Sequence, residues 1–307
     1  MSGFQSLQPD PSTIGRLSRA PFAFLPDAPE MFRRRSERFE ALAEGNPLAP
    51  YLRFLAQLTA AQADIAAELP APAPITDEQL QRAQAHQMPP LDRNVMIAAP
   101  GLQDVVDRFL AAIEPAEKPP QAADALRGLR EATRETRDAM LRNVAADSIP
   151  FESLPQHIYL SAATQIYAAK LAGTLDASRL VPVGTGLCPV CGGPPVSSMV
   201  VGNQGAEGAR YAACAFCGTA WNEVRIKCLA CGTTKGIGYK AVEAEGEEAT
   251  VKAETCDECR SWLKIFYQNK NPSLEAVADD VASLGLDLLM QETEYRRAGF
   301  DPFLLGY

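Results

Sequence analysis

Histidine is nearly missing from this 307-residue chain, which has only two. That leaves little material for the histidine-based metal sites of hydrolytic enzymes. No His-Glu-x-x-His motif, nucleophile elbow or glycine-rich phosphate loop appears either. The chain also lacks a cationic region. Net charge is -9, and residues 181–270 carry nine basic and nine acidic side chains, so no basic face is offered to a phosphate backbone. No window approaches the roughly 18 apolar residues of a membrane span, and no membrane insertion is expected. The opening MSGFQSLQPDPSTIGRLSRAPFAF lacks the unbroken apolar core of a signal peptide, so cytoplasmic residence is expected. Arg34, Arg35 and Phe39 superficially resemble part of a twin-arginine export signal. Glu40, Glu44 and Asn46 follow them in place of an apolar run, so they read as the charged face of a helix.

What is present is a globular composition, 47% apolar and 22% charged, on a length suited to about two domains. From Pro29 to about Leu180 the apolar spacing is helical. Phe32, Phe39 and Leu42 share one face, and Gly45-Asn46-Pro47 stops that helix. A second helix starts near Tyr51 and ends at the proline run 70–74. Thr76 is placed to cap a third, and further helices are expected over 102–113, 121–145 and 156–176. Near Val181 the texture turns to Gly, Cys, Val and Thr in short segments, which predicts strands between turns. After residue 270, a helix with Ser273 as N-cap carries an apolar stripe of Leu274, Val277, Val281, Leu284 and Leu288. The apolar tail GFDPFLLGY is expected to dock.

The expected fold is therefore α+β: an all-α N-terminal domain, two tandem rubredoxin-like or zinc-ribbon β modules, and a C-terminal helix. Boundaries are expected at 1–180 (with an irregular arm over residues 1–29), 181–226, 227–270 and 271–307.

All eight cysteines lie between residues 188 and 259, as four Cys-x-x-Cys pairs: Cys188/Cys191, Cys214/Cys217, Cys228/Cys231 and Cys256/Cys259. In a reducing cytoplasm such a set favours metal binding over disulfides. Gly192, Gly218 and Gly232 follow three pairs, where the backbone turns sharply; Arg260 follows the fourth, which is expected to be less regular. Four pairs can close on metals in sequential, interleaved or nested order. An internal repeat favours the sequential one. LCPVCGGPPVSSMVV and KCLACGTTKGIGYKA match in layout at an offset of 40 residues, and YAACAFC and KAETCDEC match around their cysteines at 42. Each unit then reads knuckle, hairpin, knuckle, and the stretch between Cys217 and Cys228 is a connector between two metal sites.

Four thiolates in tetrahedral array suit zinc or a rubredoxin-type iron, and spacing does not choose between them. With all four positions taken by cysteine, no open position remains for a substrate. Purely structural metals are one reading, because modules of about 40 residues have little core of their own. Thiol–disulfide exchange fits four glycine-flanked pairs less well. His86 and His157 read as surface or capping residues. Tyr211, Trp221, Tyr239 and Trp262 could stack bases, but core packing suits them better.

The runs CPVCGGPPVSS, RYAACAFCGTAWNEVRIKCLACGTTKGIGY and KAETCDECRSWLKIFYQ resemble the FdhE family of formate dehydrogenase accessory proteins. The similarity extends to PSLEAVADDVASLGLDLLMQE, the closing DPFLL, and PFAFLPDAPEMFRRRSERFEALAEGNPLAPYLRFLAQL near the start. This resemblance implies a cytoplasmic, non-enzymatic maturation protein for respiratory formate dehydrogenase. It implies contact with the catalytic subunit before export, and iron, two ions per chain, with zinc as the alternative. Two other functions stay open: electron transfer by a rubredoxin-like iron, and a nucleic-acid-binding zinc ribbon, the latter disfavoured by the neutral charge of residues 181–270.

Overall fold

A computed structural model describes residues 20–70, 72–202, 205–242 and 248–304. Helix α1 (Ala28–Ala43) starts where Asp27 accepts a hydrogen bond from Glu30 N–H, and Pro29 costs nothing because its missing donor would have been unpaired. It buries Phe32 and Phe39 and is followed by Gly45 in the left-handed region, at φ +67°. Helix α2 (Ala49–Glu68) packs along it. Helix α3 (Asp77–Ala85) carries a full capping box between Thr76 and Gln79. A short α4 (Arg93–Ile97) and α5 (Pro100–Ala112) follow.

The single helix expected over 121–145 is two, α6 (Pro120–Glu131) and α7 (Arg134–Ala145). Thr133 breaks it: its hydroxyl accepts from Thr136 N–H and starts a new helix. Helix α8 (Leu154–Ala172) is the centre of the domain, packed by α2, α5, α6 and α7. Small residues such as Ala162, Ala163, Ala168 and Ala169 are completely buried there and let its neighbours approach closely.

The strands form one sheet: β1 (Ala23–Phe24), β2 (Ser197–Val200), β3 (Arg210–Ala213), β4 (Ala220–Glu223), β5 (Ile237–Lys240), β6 (Val251–Cys256), β7 (Ser261–Tyr267) and β8 (Arg296–Arg297). The order is β1-β4-β3-β2-β7-β6-β5, with β8 on β7. β2, β3 and β4 make one antiparallel unit and β5, β6 and β7 a second with the same plan. The units join through a parallel pairing of β2 with β7, Ser198 opposite Ile265. Two expectations change here. The arm expected to be irregular over residues 1–29 contributes β1, with Ala23 opposite Trp221, and the first residues of α1; residues 1–19 lie outside the described residues. The connector after Cys217 contains β4, the third strand of the first unit.

The C-terminal helix is also divided, into α9 (Ala278–Ala282) and α10 (Leu284–Gln291). Ser273 is not its cap; Ser273 N–H and Oγ both turn to Asn271 Oδ1. Glu275 takes the capping role, its Oε2 accepting from Val277 and Ala278 N–H. At the break stands Lys264 of β7, whose buried Nζ donates to the carbonyls of Asp280 and Ser283. Leu274, Val277, Val281 and Leu284 are buried as the stripe requires, but Leu288 is exposed, and it is Leu286 and Met290 that α10 buries further along.

Arg35 is not on a charged outer face. It is buried, and with Arg38 it clamps this segment: Arg35 pairs with Glu275 at 3.0 Å and Arg38 with Asp279 at 2.6 Å. The tail docks as far as it is described, since Phe303 is buried and its carbonyl accepts from Tyr51 Oη at 2.6 Å. Residues 305–307 lie outside the described residues.

Candidate metal centres

Each knuckle is a tight turn closed on itself. Gly192 N–H donates to Cys188 O, Gly218 to Cys214 O and Gly232 to Cys228 O, at 2.8 to 3.0 Å. These three glycines sit at φ +74°, +74° and +81°, conformations a side chain adopts only with strain. The fourth knuckle was expected to deviate because Arg260 stands there. Arg260 instead adopts the same left-handed region, at φ +54°, at a cost of about 1–2 kcal/mol. This knuckle doubles as the turn of the β6–β7 hairpin, with Cys256 opposite Ser261, and the ladder holds the arginine there.

The structure brings the thiols together in sequential order. Cys188, Cys191, Cys214 and Cys217 form one cluster, and Cys228, Cys231, Cys256 and Cys259 the other, with all sulfurs of a cluster within 4.8 Å. Close Sγ pairs are Cys188–Cys217 at 3.6 Å, Cys191–Cys214 at 3.5 Å, Cys228–Cys259 at 3.6 Å and Cys231–Cys256 at 3.8 Å. A tetrahedron with metal–sulfur bonds of about 2.3 Å has edges of about 3.8 Å, so both clusters have the size of a four-thiolate metal site. All eight cysteines are free, with separations far beyond the roughly 2.05 Å of a disulfide.

The surroundings of the two clusters differ. The first is fully buried within the main core that joins the helices to the sheet. Arg93, on α4, reaches it: Nη2 lies 3.6 Å from Cys191 Sγ, and the guanidinium stacks 4.0 Å over Phe216 and pairs with Asp147 at 2.7 Å. Burial opposes its charge, but Cys191, Asp147 and Cys214 outweigh that and hold it cationic. Among the metal-free thiols, burial pushes Cys188 and Cys217 well up. Cys191 goes the other way despite burial, favoured by hydrogen bonds from Cys188, Cys214 and Cys217 and by the charge of Arg93. A cation beside a buried four-thiolate centre offsets negative charge that would otherwise be poorly solvated. Arg93 escaped sequence reasoning, because it lies 95 residues before Cys188 on a five-residue helix with no distinguishing signal.

In the second cluster Cys228 and Cys256 are buried, while Cys231 and Cys259 are exposed. Ser261 Oγ lies 2.9 Å from Cys259 Sγ and 3.5 Å from Cys228 Sγ. Burial raises the Cys228 thiol, but hydrogen bonds from Ser261 and from the backbone of Cys231 and Ala230 overcome it and lower the group to about 7. Burial pushes Cys256 up to about 12.

The two units are tied by Arg210, another residue that sequence reasoning passed over. Its fully buried guanidinium donates to Ser198 Oγ, to the carbonyls of Arg225 and Lys227 on the way into the third knuckle, and to Glu254 on β6 at 2.8 Å. His86 is an exposed helix C-cap, as expected. His157 is not at the surface. It is buried in α8, bonded to Ser153 O and Asn143 Nδ2, and it belongs to the helical core. Tyr211, Trp221 and Trp262 are buried and present no face to a base; Tyr239 is the exposed member of that group.

A helical body carrying a duplicated rubredoxin-like module, with one four-thiol cluster in each copy able to hold a metal ion, defines a class of four-cysteine-cluster proteins. The comparisons narrow this. The N-terminal, central and C-terminal FdhE family models match residues 20–185, 187–225 and 226–304, and the chain belongs to the FdhE family. It is 58% identical over 301 residues to the FdhE homolog of Rhizobium meliloti (strain 1021), covering 98% of each chain. It is 35% identical over 287 residues to protein FdhE of Escherichia coli (strain K12), covering 92% of this chain and 91% of that one. The crystal structure of the FdhE protein from Pseudomonas aeruginosa superposes with a TM-score of 0.82 at 34% identity, over 93% of this chain and 99% of that one.

Proposed function

We propose that this chain is a cytoplasmic maturation protein for respiratory formate dehydrogenase. In this reading it binds the catalytic subunit before export, catalyses no reaction itself and carries two metal ions. Cys188, Cys191, Cys214 and Cys217 hold one ion, and Cys228, Cys231, Cys256 and Cys259 the other. Iron is the first choice and zinc the second, since both accept four thiolates in tetrahedral array. Bound iron would supply one-electron chemistry, whereas bound zinc would supply only structure. The observation that carries the reading is the pair of preassembled four-thiol clusters on a chain of the FdhE family. A metal held by four cysteines has no open position for substrate, which favours an accessory role over hydrolysis. The helical body offers a large folded surface for a partner, and its net negative charge disfavours nucleic acid. Affinity capture with the full chain should retain the formate dehydrogenase catalytic subunit from an extract of cells expressing it. Repeated failure with folded, metal-loaded protein would overturn the proposal.

A further inference from the structure

We infer that the two clusters have different jobs. The first is a sealed structural site, and the second is an exchange site, whose ion is open to incoming soft donors such as thiols and aromatic nitrogen chelators. This rests on the reading above that each cluster holds an ion.

The asymmetry is built into the fold. Cys188, Cys191, Cys214 and Cys217 are at most 4% exposed and are part of the apolar cluster that binds helices to sheet. Arg93 and Phe216 lie over the Cys191 side, and Thr219 Oγ1 lies 3.2 Å from Cys217 Sγ. A cleft between α1 and the sheet runs up to Cys214 and Gly218, but with these cysteines at most 4% exposed a donor from solvent would reach an ion there only after the surrounding packing opens. In the second cluster two of the four cysteines, Cys231 and Cys259, are exposed residues at the protein surface. Its fourth knuckle contains the strained Arg260, held by an exposed pair with Glu294 at 2.6 Å, a contact of the kind worth little in water. An incoming donor can therefore bind the ion as Cys259 or Cys231 detaches. The ion leaves as a divalent cation with its new ligands, and each freed thiolate remains ionised or takes a proton from water. No electron moves. Local opening free energies within one protein range from near zero to the global value, so release rates from a sealed and an open site differ widely.

The test uses the full chain loaded with Zn2+, with its zinc content counted first. It is mixed with the chromogenic chelator 4-(2-pyridylazo)resorcinol, and samples taken through the reaction are alkylated with iodoacetamide and mapped by mass spectrometry. Two phases of one ion each are expected, the second slower by about 100-fold or more. Label should appear on Cys231 and Cys259 during the first phase and on Cys188, Cys191, Cys214 and Cys217 only in the second. In Cys259→Ser the fast ion should be lost or released faster, while the slow phase keeps its rate. A single phase releasing both ions overturns the inference, as does early labelling of the first cluster. Fewer than two ions on the fresh protein overturns the two-site reading itself, and is distinguished by being seen before chelator is added.

Discussion

Replacing Arg210 by methionine tests what joins the two four-cysteine modules. The substitution keeps most of the side-chain volume and removes the charge. In the native protein the guanidinium is wholly buried, and Glu254 beside it is only 4% exposed at its side chain. Arg210→Met leaves that carboxylate buried without its partner, and removal of one member of a buried pair costs about 3–5 kcal/mol. It also strips donors from Ser198 Oγ and from the carbonyls of Arg225 and Lys227, each worth about 1 kcal/mol. Some of this is recovered if Glu254 takes a proton. Burial already raises that carboxyl, with Arg210 opposing the shift, so losing the arginine raises it further. A folded-state value above the unfolded one gives stability that is present at low pH and lost as pH rises. The cost of Arg210→Met should therefore be larger at pH 8 than at pH 5, and about 4 kcal/mol near neutrality. Urea unfolding at a fixed, saturating metal concentration measures it. Adding Glu254→Gln should return at least about half of the loss, since the unpaired charge is gone. A loss below about 1 kcal/mol, or a double variant no better than the single one, would refute the claim that this pair holds the modules together.

Two further perturbations probe other parts of the frame. Asp301 is fully buried beside Asp280, and burial together with that neighbouring charge raises its carboxyl well above the ordinary range. Its contribution to stability is thus complete below its unfolded value and declines as pH rises. Asp301→Asn keeps the acceptor for Phe303 N–H and should flatten this decline, matching the native protein only below about pH 4 and exceeding its melting temperature by a growing margin up to pH 8; equal pH profiles would contradict it. Gly186 has φ +62°, and an added Cβ would collide with the carbonyl of Leu229 in the third knuckle, whereas Gly45 at φ +67° has open space around it. Gly186→Ala should therefore destabilise by at least about 2 kcal/mol and Gly45→Ala by about 1, compared by chemical denaturation; equal losses would mean the close approach does not matter.

Local chemistry made much of this legible in advance. Four Cys-x-x-Cys knuckles, three of them glycine-closed, announce themselves, and the 40- and 42-residue offsets between halves group the thiols as the structure does. The capping box at Thr76 and the stop at Gly45 likewise need only neighbouring residues. What stayed hidden depends on contacts between distant segments. Arg35 looked like one more charge on a polar helix face, until Glu275, 240 residues away, gave it a partner. The C-terminal helix scans as continuous, and the buried Lys264 of β7 that meets it at the break lies some 20 residues earlier in the chain. Arg93 and Arg210 carry no pattern of their own; their roles come from which buried anions they meet.

The parallel pairing of β2 with β7 was hidden for the same reason, and it has the widest consequence. A module that closed its own site and made no further contact would behave as a bead on a string. Here the first strand of one copy pairs with the last strand of the other, Ser198 against Ile265, so the duplicated units form a single sheet. Only the first copy has its cluster in the main core against the helices. The second reaches that core through β7, Arg210 and Lys264, and its cysteines lie outside it. Duplication has thus produced two copies of one four-thiol cluster under different mechanical constraints. The inner copy keeps its four cysteines buried in the body, whereas the outer copy is braced along one edge and has two of its cysteines exposed. Identical motifs at the level of sequence become unequal sites because the fold gives them unequal neighbours.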